Sequence, residues 1–186
     1  PFDSYEDIVR FFSFVRTAHH EERGKLIAAT DQMVHKFKEK DILEQEISNA
    51  LLEDRVEVFL QPIFFNSDHG FTSAEALARI RKQDGTILPP GRFNPLAEEN
   101  GQILQLGERV FEKVCQLLKS IDTKKCGLHY VELNLSVVQC EKQDLAQRLI
   151  SIARKYQIDP GMINLEITET ASISARKTLL ENMKEL

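Results

Sequence analysis

A chain of 186 residues, 42% hydrophobic and 28% charged, has an ordinary globular balance that suits one domain or one domain with a short neighbour. Its formal charge of −5 excludes a broad electrostatic grip on a nucleic acid polymer, which rests on many clustered Lys and Arg, but allows a small anionic ligand. No apolar run approaches the roughly 20 residues that span a bilayer, and the first residues lack a signal-peptide layout; membrane attachment is expected only through parts outside this chain.

In chain order, residues 5–16 place Ile8, Val9, Phe12 and Val15 on one face of a predicted helix. Lys25–Ala29 reads as a short strand. A second helix is expected over Asp41–Asp54, striped by Leu43, Ile47, Ala50 and Leu51, with the charges of Lys36–Lys40 before it as a solvated face. Strands follow over Arg55–Phe65 and Phe71–Ile80. Asp84-Gly85 marks a turn, and Asn94-Pro95 suits a helix start. A helix over Ile103–Leu118, a strand over Tyr130–Ser136, a helix over Leu145–Tyr156, a strand over Met162–Thr168 and a helix from Ser174 complete the reading. Strands alternating with helices at this spacing argue for an α/β fold with a parallel sheet or barrel. Cys115, Cys126 and Cys140 form no C-x-x-C pair, so reduced thiols in a cytoplasm are expected, each a small buried hydrophobe.

Residues two apart in a strand share a face. Glu75 and Arg79 share one with Ser73 and Leu77. Glu132, Asn134 and Ser136 oppose Val131, Leu133 and Leu135, and Asn164, Glu166 and Thr168 oppose Ile163, Leu165 and Ile167. A parallel strand covered on both sides should be apolar on both. Successive strands that break this rule near their C-terminal ends point to a shared polar pocket, where α/β folds build their sites. Glu75, Asn134 and Glu166 offer oxygen donors suited to Mg²⁺ or Mn²⁺ rather than zinc, with Glu169 close behind. Solvated strand ends or arginine-paired carboxylates are the other reading. The five histidines show no metal-ligand spacing and are read as structural.

At these residues the sequence resembles the EAL-domain family. Phe59-Leu60-Gln61-Pro62-Ile63 is similar to its opening strand, and Glu75-Ala76-Leu77-Ala78-Arg79 to its E-A-L-x-R motif. Gly85–Pro89 and Phe93–Gly101 resemble the next block, Asn134-Leu135-Ser136 the N-L-S motif, and Glu166-Ile167-Thr168-Glu169 the E-x-T-E motif. The resemblance implies a (β/α)₈, TIM-barrel-like fold and metal-dependent hydrolysis of cyclic di-GMP to the linear dinucleotide, a reaction of bacterial second-messenger signalling. It makes Glu75, Asn134 and Glu166 metal ligands, with Glu75 and Glu169 catalytic, the latter holding a loop that completes the site. Gln61, Leu77 and Arg79 become substrate-binding residues, Arg79 at a phosphate. It also implies a homodimer as a partner.

The family's Asp-Asp-Phe-Gly block and catalytic-region lysine are absent from this sequence. About half a barrel is therefore expected, residues 46–186 forming the N-terminal part of an EAL domain in a longer parent. The two-metal site is incomplete and the segment alone inactive. Residues 1–45 resemble weakly the last helix and strand of a GGDEF domain with a connecting helix; a plain helical extension is the alternative. A non-catalytic cyclic di-GMP receptor and an interaction module are the competing functions. The acidic and arginine residues just named disfavour the module.

Overall fold

The computed structural model describes residue 2 and residues 4–19, 26–65, 70–167 and 176–186. Helix α1 (Tyr5–Ala18) starts at a capping box, in which Asp7 N–H donates to Ser4 Oγ and Ser4 N–H to Asp7 Oδ2, both at 3.1 Å. Helix α2 spans Asp31–Leu52. The chain divides into two compact units, Pro1–Glu46 and Ile47–Leu186, with the boundary inside α2.

In the first unit the buried face of α1 is not the expected one. Phe11 is 2% exposed, whereas Ile8, Val9 and Phe12 face solvent. The reason is aromatic: Phe11 packs on Phe2 and Phe37 at ring-centroid distances of 5.0 and 5.6 Å, and Phe14 lies 5.8 Å from Phe37. Phe11 and Phe14 meet Phe2 and Phe37 in one aromatic cluster, and that cluster sets the rotation of the helix. Leu26–Thr30 is irregular rather than a strand, and Leu26 is fully exposed. No strand pairs with it among the described residues, so it has no ladder to join. Helix α2 begins ten residues before the expected Asp41; Lys36, Lys38 and Glu39 are its solvated face around the buried Phe37.

The second unit holds a sheet in the order β1-β2-β4-β5, with β3 on β2. Strands β1 (Val56–Phe65) and β2 (Gly70–Arg81) are antiparallel, from Val56↔Ile80 to Phe65↔Gly70. The few residues between them cannot carry the crossover that a parallel pair requires. Strand β3 (Ile87–Leu88) turns back on β2 through Gly85, whose φ of +84° suits glycine. Helix α3 (Pro90–Asn100) begins earlier than Asn94-Pro95: Pro90 occupies the first helical position, Pro95 lies inside, and Phe93, Leu96 and Ala97 anchor it.

Helix α4 (Ile103–Ser120) and the short α5 (Thr123–Cys126) lead to β4 (Tyr130–Leu135), parallel to β2. Ser136 does not extend β4; it caps α6 (Val137–Cys140). Helix α7 (Leu145–Tyr156) and a 3-10 turn (Pro160–Met162) precede β5 (Ile163–Ile167), parallel to β4, and α8 spans Arg176–Glu185. The expected strand end at Thr168 and helix start at Ser174 lie outside the described residues.

The alternation read in the strands holds. Val131, Leu133 and Leu135 are buried with Ala76 against Phe111, Val114, Cys115 and Leu118 of α4 and Leu145 and Leu149 of α7. Ile163, Leu165 and Ile167 pack on the same core, half-buried. Cys115 and Cys140 are buried, as expected. Cys126, in the one-turn surface helix α5, is exposed. No helix among the described residues is long and apolar enough to cross a membrane.

Candidate functional site

The register brings the predicted residues onto one face of the sheet. Gln61 pairs with Glu75, Glu75 with Glu132, and Glu132 with Asn164, making a row of polar residues across the four longer strands. The next row toward the C-terminal ends of the parallel strands holds Phe59 opposite Leu77 and Asn134 opposite Glu166. Arg79, two residues past Leu77, is on that face too. The apolar side chains between these positions point into the core, so burial of the opposite face fixes the polar set.

Asn134 Nδ2 donates to Glu75 Oε1 at 2.7 Å, linking β4 to β2 across the site face. Glu75 is half-buried, whereas Asn134 and Glu166 are exposed. One row deeper, Asn164 Nδ2 reaches Glu132 Oε1 at 3.5 Å. Behind Asn134, Ser136 Oγ donates to Glu98 Oε1 of α3 at 2.7 Å and accepts from Val138 N–H, which ties the end of β4 to α3 and α6. Glu169 lies outside the described residues.

The basic side of the site depends on a choice of partners. Glu57 is the cross-strand neighbour of Arg79, yet its carboxylate accepts from Arg81 Nε at 2.5 Å and Nη2 at 2.9 Å. That bidentate hydrogen bonding holds the Glu57 carboxyl below its ordinary range and raises the Arg81 guanidinium above its own. Arg79 instead donates Nη1 to the Ala78 carbonyl at 2.8 Å and lies with Cζ 5.5 Å from the Phe59 ring centroid. Among the described residues no carboxylate pairs with it. The sequence reading placed β1 but did not divide its faces; the alternation Glu57, Phe59, Gln61 was the signal for the first two.

Among the described residues, no three His, Cys, Asp or Glu side chains gather as a metal cluster. The predicted donors are instead two carboxylates and an amide. Their oxygens suit a hard divalent ion, and the Glu75–Asn134 hydrogen bond keeps two of them together. The set fits part of a coordination sphere.

The EAL domain model matches residues 44–186. The chain belongs to the EAL domain family. Signaling protein YkoW of Bacillus subtilis is 31% identical over 146 residues, covering 77% of this chain and 18% of the relative. Cyclic di-GMP phosphodiesterase NbdA of Pseudomonas aeruginosa is 31% identical over 147 residues, covering 77% and 19%. The chain thus spans about a fifth of the length of these curated relatives. The PaMucR phosphodiesterase in complex with c-di-GMP superposes with a TM-score of 0.66 at 24% identity, over 77% of this chain and 60% of that one. The FimX EAL domain from Pseudomonas aeruginosa bound to c-di-GMP gives 0.67 at 19%, over 77% and 57%. The fold is therefore the TIM-barrel-like α/β fold of EAL domains, and the chain matches part of each.

Proposed function

We propose that the protein carrying this domain hydrolyses cyclic di-GMP to the linear dinucleotide with Mg²⁺ or Mn²⁺. The observation that carries this reading is the Glu75–Asn134 hydrogen bond, in register with Glu166, in a chain whose family includes cyclic di-GMP phosphodiesterases. Glu75, Asn134 and Glu166 would hold the ion, which when bound supplies Lewis-acid charge and a water of lowered pKa. Arg79, free of a carboxylate partner among the described residues, neutralises a phosphate oxygen. Gln61 and Leu77 line the same face, Gln61 offering an amide to a base edge and Leu77 an apolar contact. Glu169, outside the described residues, is read as catalytic, holding a loop that completes the site.

Incubating the full-length protein with cyclic di-GMP and Mg²⁺ or Mn²⁺, with the product resolved by chromatography, tests this. Wild type should form the linear dinucleotide, and Glu75→Ala and Asn134→Ala should each lower turnover at least about a hundredfold, the scale of losing preorganised electrostatic stabilisation. Unchanged product formation in Glu75→Ala would sink the assignment. A receptor without turnover is the second reading. It draws on the mixed donor set, in which an amide, Asn134, stands with the carboxylates Glu75 and Glu166. Binding of cyclic di-GMP by wild type with no product in either metal would select it.

A further inference from the structure

Phe59 is a large aromatic side chain with no part in the core, although it lies in the middle of a strand. Its neighbours Val58 and Leu60 pack against the α4–α7 core, while Phe59 points to the other face and is 41% exposed. Its place on the site face puts an aromatic ring beside the predicted ligand residues. On that face it lies opposite Leu77, flanked along β1 by Gln61 and Glu57. The guanidinium of Arg79 hangs 5.5 Å from the ring centroid.

The charges around the ring are already divided. Glu57 is the nearest carboxylate in register, and Arg81 occupies it through two hydrogen bonds. Arg79 keeps its cationic head over an aromatic surface and beside a leucine, with no carboxylate to neutralise it among the described residues. A flat aromatic ring, a cation held 5.5 Å from its centroid and an amide two residues along the strand make a set with a definite complement. That complement is a planar heteroaromatic ring with an anionic phosphodiester attached, together with a polar edge that an amide can bond.

We propose that Phe59 is a base platform of the ligand site, on which one guanine of the cyclic dinucleotide stacks with Leu77 beside it, while Arg79 takes the phosphate joined to that nucleoside. This rests on the cyclic di-GMP reading above and adds a residue to it. Phe59 thereby does two things: it holds the Arg79 guanidinium out over the site, and it makes the site prefer a ligand with a stacked purine over a bare phosphodiester.

The test is equilibrium binding of cyclic di-GMP to the full-length protein in chelator, so that no ligand is consumed, with Arg79→Ala, Phe59→Ala, Phe59→Leu and Phe59→Tyr beside wild type. Loss of one stacked base corresponds to about a ten- to hundredfold weakening. Phe59→Ala should show it, Phe59→Tyr should bind within about threefold of wild type, and Phe59→Leu should weaken binding at least about fivefold, because it keeps the apolar bulk but not the ring. Circular dichroism and urea midpoints of all three variants are compared with wild type; if Phe59→Ala fails to fold, Phe59→Leu decides. Wild-type affinity in Phe59→Ala and Phe59→Leu, with Arg79→Ala impaired, overturns the platform while leaving the functional reading intact. A wild-type protein that binds no cyclic di-GMP, or binds it equally well after Arg79→Ala, overturns the reading itself and the platform with it.

Discussion

Asn134 donates to Glu75, and Glu57 is drawn to Arg81 rather than Arg79; these two choices of partner set the character of the site face. Both are made by side chains, within a register fixed by packing on the far side of the sheet. The same core dictates the chemistry of the cysteines. Cys115 is fully buried, and burial, with a smaller push from the Glu112 charge, raises its thiol to about 11. Burial also raises Cys140, whereas Cys126 is exposed. A thiol reagent applied to the native protein at pH 8 should therefore label Cys126 well before the other two, as peptide mapping would show. A second consequence is pH-dependent stability. The Cys115 value is raised above that of the unfolded chain, near 8.5, so its contribution is fully present below that pH and is lost as pH rises toward about 11. The slope approaches about 1.4 kcal/mol per pH unit at most. Urea midpoints between pH 8 and 11 should fall more steeply in wild type than in Cys115→Val, and parallel curves would contradict the shift.

At the scale of elements, α4 and α6 meet through a glycine. A Cβ on Gly107 would lie 1.9 Å from Gln139 Nε2, and Gln139 is 3% exposed. Its Oε1 accepts from Ser136 N–H at 3.0 Å, closing the capping box of α6 directly after the strand that carries Asn134. Gly107→Ala should gain about 1 kcal/mol of helix propensity and lose about 1–3 kcal/mol to overpacking, besides displacing a cap worth about 1 kcal/mol. The clash and the lost cap together outweigh the propensity, so net destabilisation of about 1–3 kcal/mol is expected by urea denaturation. Gln139→Ala should relieve the clash, making the double variant more stable than the sum of the single changes predicts. Additive effects would mean that Gln139 moves aside freely. Helix α1 makes the complementary point. Its apolar residues cover more than one face, and the one that is buried is decided by Phe37, more than twenty residues away.

Over the whole molecule, what was legible in the sequence is what local periodicity dictates. The period-two pattern of Tyr130–Leu135 and Ile163–Ile167, and the helical stripes of α4 and α7, identify both element and core face. They also put Asn134 and Glu166 on the strand faces turned away from the core before any contact is known. The start of α2 was hidden because a solvated run such as Lys36–Lys40 looks alike in a helix and in a linker. Partner selection by Glu57 was hidden because it depends on register and rotamer together. These surface carboxylates govern the last expectation. Arg81 holds Glu57 below its ordinary range, Lys113 with Arg109 does so for Asp54, and Lys155 with Tyr156 for Glu112. Groups lowered by folding contribute stability above the unfolded carboxylate value, about 4, and lose it as pH falls through their folded values. Asp54 is open to solvent and Glu57 and Glu112 are half-buried, all with partners that reach solvent, so each contribution is small and screened by salt. If net charge controlled stability, it would peak near the sequence pI of about 5.6 and decline toward pH 7. Ion pairing gives a different curve: a plateau from about pH 7 to 5, then a decline below about 4 that shrinks in about 1 M salt, where the screening length is about 3 Å. Urea midpoints against pH at low and high salt separate the two. A maximum confined to the neighbourhood of the pI would assign acid sensitivity to overall charge, whereas a plateau with a salt-sensitive acid limb would assign it to these paired carboxylates.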